Sequence, residues 1–177
     1  MQLHSSIRIH RTPKQVWSFL GDPANVSKWD RGVAAVEQTP AQPPSQSLGV
    51  GYEFDTVAHV RLNLPDKGRM TYRIQKSEID DSDPTAGHCI VELTSRTGNA
   101  RFFRTAEWRF DVRAIPEGSE LTCTAVFTLR WPYLFLGPML YLGRKQIMID
   151  LECLKLAVES QEEEDVSSEF SPAKAAP

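Results

Sequence analysis

Arg104 is the side chain in this sequence of 177 residues that is hardest to explain by packing alone. It lies in a run of alternating apolar and polar residues, on the same predicted inward face as Ala106 and Trp108. Because a buried guanidinium is costly unless it is paired or used, an inward Arg104 predicts a donor to a ligand carbonyl, enolate or carboxylate. The sequence leaves a second interpretation open, in which Arg104 lies near the strand end and reaches solvent or a carboxylate.

Two tyrosines and one aspartate are the other polar candidates. Tyr52 and Tyr72 fall on apolar faces, so each phenol is either a donor or general acid at a cavity wall, or a core aromatic with a locally satisfied hydroxyl. Asp30 follows two predicted short helices and would be a general base if desolvated, although a loop aspartate is more often solvated. Arg104, Tyr72 and Asp30 are therefore the catalytic candidates.

A second group of candidates consists of large apolar side chains that alternate along the strands or follow them. Such residues are more often plain core than a platform for a ligand, and in a protein with a cavity both roles hold together. Met139 is expected near the open end of the pocket. The predicted ligand contacts are Tyr52, Phe54, Trp108, Phe110, Phe127, Trp131 and Met139.

The cysteines and histidines do not indicate a metal site. Cys89, Cys123 and Cys153 are far apart, no CxxC or Cys/His cluster occurs, and the four histidines fall on polar faces. Nothing near Cys89 or Cys123 would lower a thiol pKa, so both are interpreted as small core residues. We expect no metal, no cofactor and, from reduced cysteines, a cytoplasmic location.

The elements that must position these residues follow from the periodicity. A strand at 3–10 precedes two short helices, the first opening at Thr12-Pro13, and six more strands follow without any alternation of strand and helix. One amphipathic helix is predicted from Pro138 to Glu159, because its apolar positions are spaced by 7, 4, 3 and 4 at Leu140, Ile147, Leu151, Leu154 and Val158.

Two predicted turns fix a register for the later strands. A two-residue loop at 98–99 would place Leu93 opposite Arg104 and Cys89 opposite Trp108. A turn within 115–120 would place Trp108 opposite Phe127. Both registers give the same inward face.

Together these elements predict an α+β fold, in which a seven-stranded antiparallel sheet curls around a long C-terminal helix. The inward face of the sheet carries more aromatic surface than one helix covers. We therefore expect an internal apolar cavity.

The segment Pro13-x-x-Val16-Trp17-x-x-Leu20-x-Asp22, followed by Trp29, resembles the opening motif of the START-like superfamily (SRPBCC), labelled polyketide cyclase/dehydrase and lipid transport. The Trp108-x-Phe110 strand, the turn at Gly118 and the final helix add to the resemblance. It implies a helix-grip fold with a ligand cavity. Its members include polyketide cyclases, lipid carriers, hormone receptors, alkaloid-forming enzymes and co-chaperones.

Composition and charge exclude some classes of function. The net charge of −3 argues against a non-specific nucleic-acid binder, and no run approaches the ~18 apolar residues that stable membrane insertion needs. Residues 161–177 carry −4 and the remaining 160 about +1, so we divide the chain into a ligand-cavity domain at 1–160 and an acidic, disordered tail.

Three functions are compatible with these features. The first is a cofactor-independent cyclase or dehydratase that acts on a hydrophobic, oxygenated small molecule, such as a polyketide intermediate. The second is a non-catalytic carrier of a lipid or another hydrophobic small molecule, and the third is a co-chaperone. The sequence leaves monomer and homodimer open.

Overall fold

The computed structural model describes residues 1–39, 49–59, 68–79, 86–96 and 98–169. All neighbouring strands of its single seven-stranded sheet are antiparallel, in the order β1-β7-β6-β5-β4-β3-β2. The predicted fold class and number of strands are confirmed. The strands are β1 (Gln2–Ile9), β2 (Val33–Gln38), β3 (Glu53–Ala58), β4 (Met70–Ile79), β5 (Ala86–Leu93), β6 (Phe103–Ile115) and β7 (Gly118–Leu129).

Two short helices connect β1 to β2. Helix α1 (Pro13–Leu20) begins with a capping box, in which the Thr12 side chain accepts from the Gln15 amide and Gln15 reaches back to Thr12. A 3-10 turn (Pro23–Asn25) leads into α2 (Val26–Trp29). These elements place Trp29 and Asp30 beside the inward face of the sheet.

The C-terminal helix is divided where the sequence predicted one continuous helix. A 3-10 turn (Trp131–Leu136) and α3 (Gly137–Leu142) precede α4 (Arg144–Glu169), with Gly143 between the two helices. Leu151, Leu154 and Val158 are buried, as the spacing predicted. Residues 161–169 continue α4 where a disordered tail was predicted, and 170–177 lie outside the described residues.

The observed register differs by two residues from the predicted one. Val91 pairs with Trp108, and Trp108 pairs with Ala125. The prediction assumed a two-residue loop at 98–99, whereas the chain forms a 3-10 turn from Gly98 to Phe102. Since side chains alternate with period two, a shift of two residues does not by itself move any side chain to the other face.

A β-bulge at the start of β6 reverses the predicted direction of Arg104. Phe103 pairs with Leu129 and Thr105 with Thr128, so Arg104 is the additional residue. Phe103 packs inward, with its ring 5.6 Å from that of Phe127, and Arg104 is exposed. The prediction of an inward Arg104 is therefore wrong.

Candidate functional site

A cavity lies between the inward face of the sheet, the segment from α1 to α2, and α4. Its inner chamber has a volume of about 110 Å³ and a mostly apolar wall. An outer chamber of about 330 Å³ extends along α3 and the start of α4. The residues that line both chambers are Asp30, Thr56, Tyr72, Trp108, Ile147 and Asp150.

Stacked and edge-on aromatic rings form much of the wall. The Tyr72 ring stacks on Phe54 at 5.7 Å and meets the edge of Trp108 at 5.5 Å. Trp108 in turn contacts Phe127 edge-on at 5.4 Å, and Phe110 contacts Trp29 in the same way at 6.0 Å. These contacts hold the Tyr72 ring in one orientation, in which the side chain lines the cavity.

Asp30 ends α2 and points its carboxyl group toward the cavity. Its backbone N–H donates to the Val26 carbonyl at 2.8 Å, and its Oδ1 accepts from the Gly32 amide at 2.8 Å. Burial raises the pKa of Asp30 above its ordinary value; the Gly32 amide opposes this and the negative charge of Asp150 adds to it. Asp30 therefore holds a proton to a higher pH than an ordinary aspartate does.

Asp150 is a site residue that sequence reasoning missed, because it was assigned to the polar side of the helix. It lies three residues after Ile147 and four before Leu154, so its spacing belongs to the apolar face. The Asp150 carboxylate accepts from Gln146 Nε2 at 2.7 Å and from the Arg31 backbone amide. Burial raises the pKa of Asp150, while these two donors and the Arg31 charge oppose the rise.

The Tyr72 hydroxyl is the third polar group of the cavity described here, after the carboxyl groups of Asp30 and Asp150. It hydrogen-bonds with Thr56 and lies 3.8 Å from Met70 Sδ. Burial raises the pKa of Tyr72 far above its ordinary value, and the nearby charge of Asp30 raises it further. The phenol therefore stays protonated and acts as a donor.

The remaining predicted residues divide between cavity wall, cavity rim and surface. Phe54, Phe110 and Trp108 line the inner chamber, Phe127 lines the outer one, and Met139 lines the outer chamber while 60% exposed. Tyr52 packs on the core without lining either chamber.

Trp131, a predicted ligand contact, is 84% exposed and lines neither chamber. The alternation of Phe127 and Leu129 along β7 predicted that Trp131 also faces inward. Strand β7 ends at Leu129, and Trp131 begins the 3-10 turn.

Cys89 and Cys123 line the inner chamber as protonated thiols. Burial raises the pKa of Cys89 to about 11 and that of Cys123 to about 12, the latter with the charges of Asp150 and Asp111 adding to the rise. Neither thiol is activated as a nucleophile.

The charges of the cavity wall have one sign. Among the described residues, no Lys, Arg or His lines either chamber. Within the same described ranges, no three His, Cys, Asp or Glu side chains are grouped so that they could hold a metal ion.

Residues 1–148 match the family model described as polyketide cyclase/dehydrase and lipid transport. The chain belongs to this family. No curated protein matches the sequence.

Solved structures similar to this family member share its helix-grip fold at low identity. Zhui aromatase/cyclase from Streptomyces sp. R1128 is 11% identical with a TM-score of 0.66, covering 91% of this chain and 94% of its own. Norcoclaurine synthase from Thalictrum flavum, in complex with dopamine and hydroxybenzaldehyde, is 11% identical with a TM-score of 0.64, covering 91% and 87%. A START superfamily protein from Mycobacterium smegmatis is 13% identical with a TM-score of 0.64, covering 90% and 97%.

Proposed function

We propose that this family member is a cofactor-independent enzyme of the cyclase/dehydratase type, acting on a hydrophobic, oxygenated small molecule. The observation that carries the proposal is the meeting of Asp30, Asp150 and Tyr72 in one apolar cavity. Two carboxyl groups and a phenol in such surroundings are suited to proton transfer, because desolvation brings carboxyl pKa values toward neutrality. The family description and the aromatase/cyclase among the similar structures support the same reaction class.

The different partners of the two carboxyl groups suggest different roles. Asp150 is held by Gln146 and the Arg31 amide, which favour its ionised form, so it is the proposed base. Asp30, whose pKa burial and the Asp150 charge both raise, is the proposed acid. Tyr72 donates to the substrate carbonyl and stabilises the enolate that forms.

These roles give a balanced ring closure. Asp150 takes a proton from the carbon next to one carbonyl, and the resulting enolate carbon attacks a second carbonyl of the same molecule. Asp30 gives its proton to the new alkoxide. A proton then passes from Asp150 to Asp30, directly or through water, and restores the starting state. The aromatic wall contributes by holding the substrate in a folded conformation.

The charge of the wall restricts the ligand. With two carboxyl groups and no described basic side chain on the wall, the cavity disfavours a carboxylate ligand. The proposed substrate is therefore neutral at the buried end.

A carrier of hydrophobic molecules is the second candidate. The apolar wall and the outer chamber beside Met139 favour it. A carrier needs no proton transfer, so it predicts that ligands bind equally well without Asp150 and remain chemically unchanged.

Hydrogen–deuterium exchange of 1-indanone separates the two candidates. This flat bicyclic ketone exchanges its α-hydrogens when a base and a carbonyl donor act together, and NMR in D₂O follows the exchange. We expect faster exchange with the protein than in buffer, reduced about 100-fold in Asp150→Asn and about 10-fold or more in Tyr72→Phe. Arg104→Met and Tyr52→Phe are controls outside the chambers and keep the wild-type rate.

Saturation-transfer NMR on the same samples reports binding. Indanone that binds without exchanging above the buffer rate would contradict the enzyme proposal and favour the carrier. An Asp150→Asn protein that exchanges at the wild-type rate would remove Asp150 from the mechanism.

A further inference from the structure

The segment after β7 exposes a concentrated group of large apolar side chains. Its members lie on the 3-10 turn and on α3, and we call them the apolar rim. Single exposed apolar residues are ordinary, but a cluster of this kind marks an interaction surface. The rim residues and their exposed fractions are Trp131 84%, Leu134 51%, Phe135 73%, Met139 60% and Tyr141 60%.

The rim adjoins the open side of the cavity. Met139 belongs to the rim and also lines the outer chamber, together with Leu140 and Gly143. A surface that covers the rim therefore also faces the outer chamber.

Exposed cations lie before and after the rim along the chain, without acidic neighbours in sequence. Residues 93–106 and 121–149 contain no Asp or Glu, although the whole chain has more acidic than basic residues. Among the described residues none of the five cations that we call the basic collar forms an ion pair. The collar consists of Arg101, Arg104, Arg130, Arg144 and Lys145, all exposed.

Contacts at the start of the 3-10 turn join collar and rim. The Arg130 amide donates to the Phe102 carbonyl at 3.0 Å, and its Nε donates to the Phe103 carbonyl at 3.1 Å. The Phe102 ring contacts Tyr133 at 5.0 Å, and the Arg101 guanidinium lies 5.1 Å from the Phe102 ring. Arg144 and Lys145 follow α3 directly. The β6 end, the rim and the start of α4 thus form one surface.

We propose that this surface docks on an anionic lipid bilayer, with the rim side chains in the interfacial layer and the collar on lipid phosphates. Trp and Tyr favour the boundary between headgroups and acyl chains, and Arg and Lys beside them are attracted by anionic lipids. Charge complementarity favours lipid over a protein partner, because every collar charge has the same sign and a bilayer of anionic lipid presents only the opposite one. This docking holds whether the cavity catalyses or carries.

Vesicle co-sedimentation with the full chain tests the docking. The probes are vesicles of phosphatidylcholine alone and of phosphatidylcholine with a minority of phosphatidylglycerol. We expect binding to the second kind, weakened by added salt, and an affinity at least about 10-fold lower for Trp131→Ala/Phe135→Ala. The control Val50→Ala/Leu156→Ala removes two apolar side chains, 65% and 67% exposed, from outside the rim and binds like wild type.

A matched pair of charge reversals tests the collar. Lys145→Glu and Lys14→Glu change the net charge equally at exposed helical positions, but only Lys145 belongs to the collar. We expect about a 10-fold loss of affinity for the first and little change for the second. Equal losses would mean that net charge alone governs binding and would overturn the proposed surface.

Two further measurements keep the docking proposal falsifiable. Thermal unfolding verifies that each variant is folded, and ultracentrifugation reports self-association. Absence of wild-type binding to anionic vesicles would overturn the proposal, as would a dimer that the rim variant dissociates, since the rim would then be covered by a second copy. Trp131→Phe should also abolish most of the fluorescence blue shift on vesicle binding, because Trp131 is the exposed tryptophan of the rim.

Discussion

Asp30 and Asp150 keep carboxyl groups in an apolar cavity, where the ionised form is poorly solvated. Each has only a few donors to offset the burial: the Gly32 amide for Asp30, and Gln146 with the Arg31 amide for Asp150. Residues of this kind reduce the stability of the fold and are retained where their chemistry is used. Stability measurements therefore test the site without any knowledge of the substrate.

Replacing Asp30 with Asn should stabilise the protein at neutral pH. Burial raises the pKa of Asp30 in the folded state above its value in the unfolded chain. At a pH between these two pKa values folding is coupled to the uptake of a proton, and above the raised pKa the buried, ionised carboxylate destabilises the fold. Asn keeps the oxygen that accepts from Gly32 and removes the charge. We expect Tm to rise by about 2–4 °C, corresponding to ~1 kcal/mol for a chain of this size.

The pH dependence gives the sign of this effect. The gain of Asp30→Asn should be full above the raised pKa and should disappear below about pH 4, where the wild-type carboxyl is protonated in the folded and unfolded states alike. Asp22→Asn is the control, since Asn caps a helix as well as Asp and Asp22 caps the 3-10 turn through the Ala24 amide. A gain that does not vary with pH would contradict the assignment to charge burial.

Sequence reasoning could predict the inward direction of Tyr72 but could not separate Asp30 from an ordinary loop aspartate. Asp30 is buried in a cavity whose other walls, the sheet and α4, lie far from it in sequence. The burial of Asp150 could have been predicted from the helical spacing, because its carboxylate follows Ile147 by three residues. The outward direction of Arg104 could not have been predicted, because alternation gives no indication of a bulge.

At the scale of elements, α1 approaches the sheet so closely that at one position of β5, Gly87, there is no room for a side chain. A Cβ at Gly87 would lie 2.8 Å from Trp17 Cε3, and the Trp17 ring is buried. The contact fixes the height of α1 above the sheet. It thereby fixes where the following segment, with Trp29 and Asp30, reaches the cavity.

Gly87→Ala should therefore destabilise the protein. Overpacking of a buried contact costs about 1–3 kcal/mol, which is expected to lower Tm by several degrees in thermal unfolding. Gly137→Ala is the control at the start of α3, where a Cβ meets nothing within 4 Å, and it should be neutral or slightly stabilising. Equal behaviour of the two variants would show that the Trp17 ring moves freely.

The elements were predictable to different degrees. All seven strands were predicted, most of them from alternation, and the apolar face of α4 was recognised from Leu151, Leu154 and Val158. Hairpin register was not predictable, since it depends on the conformation of the connecting loop. The division of the C-terminal helix at Gly143 was missed because apolar spacing continues across it.

At the scale of the whole molecule, α4 packs on the domain up to the start of the acidic C-terminal segment. Val158 is buried, and Glu159 accepts from the His10 amide at 2.8 Å. The domain boundary near residue 160 remains our proposal. The fold could be predicted because its strand order, its closing helix and the opening motif at 13–22 agree.

Removing residues 161–177 should leave thermal unfolding nearly unchanged. The truncated protein loses a formal charge of −4 and should bind anionic vesicles more tightly, because long-range repulsion from the bilayer is reduced. A truncation that stops at residue 169 separates the helical part from the residues that follow. A fall in Tm of several degrees would show that the acidic segment packs on the domain.

The bulge in β6 also determines where this strand tolerates a shorter chain. Phe103 and Thr105 already pair with Leu129 and Thr128, which are adjacent, so deleting Arg104 joins two residues whose partners are already consecutive. The ladder becomes regular, and the alternation of the remaining strand stays in phase. Deleting a single residue from the regular part of β6 would instead reverse the alternation on one side of the deletion. Side chains that face the core there would then face solvent, and the exposed ones would face the core. We therefore expect the fold to tolerate the deletion of Arg104.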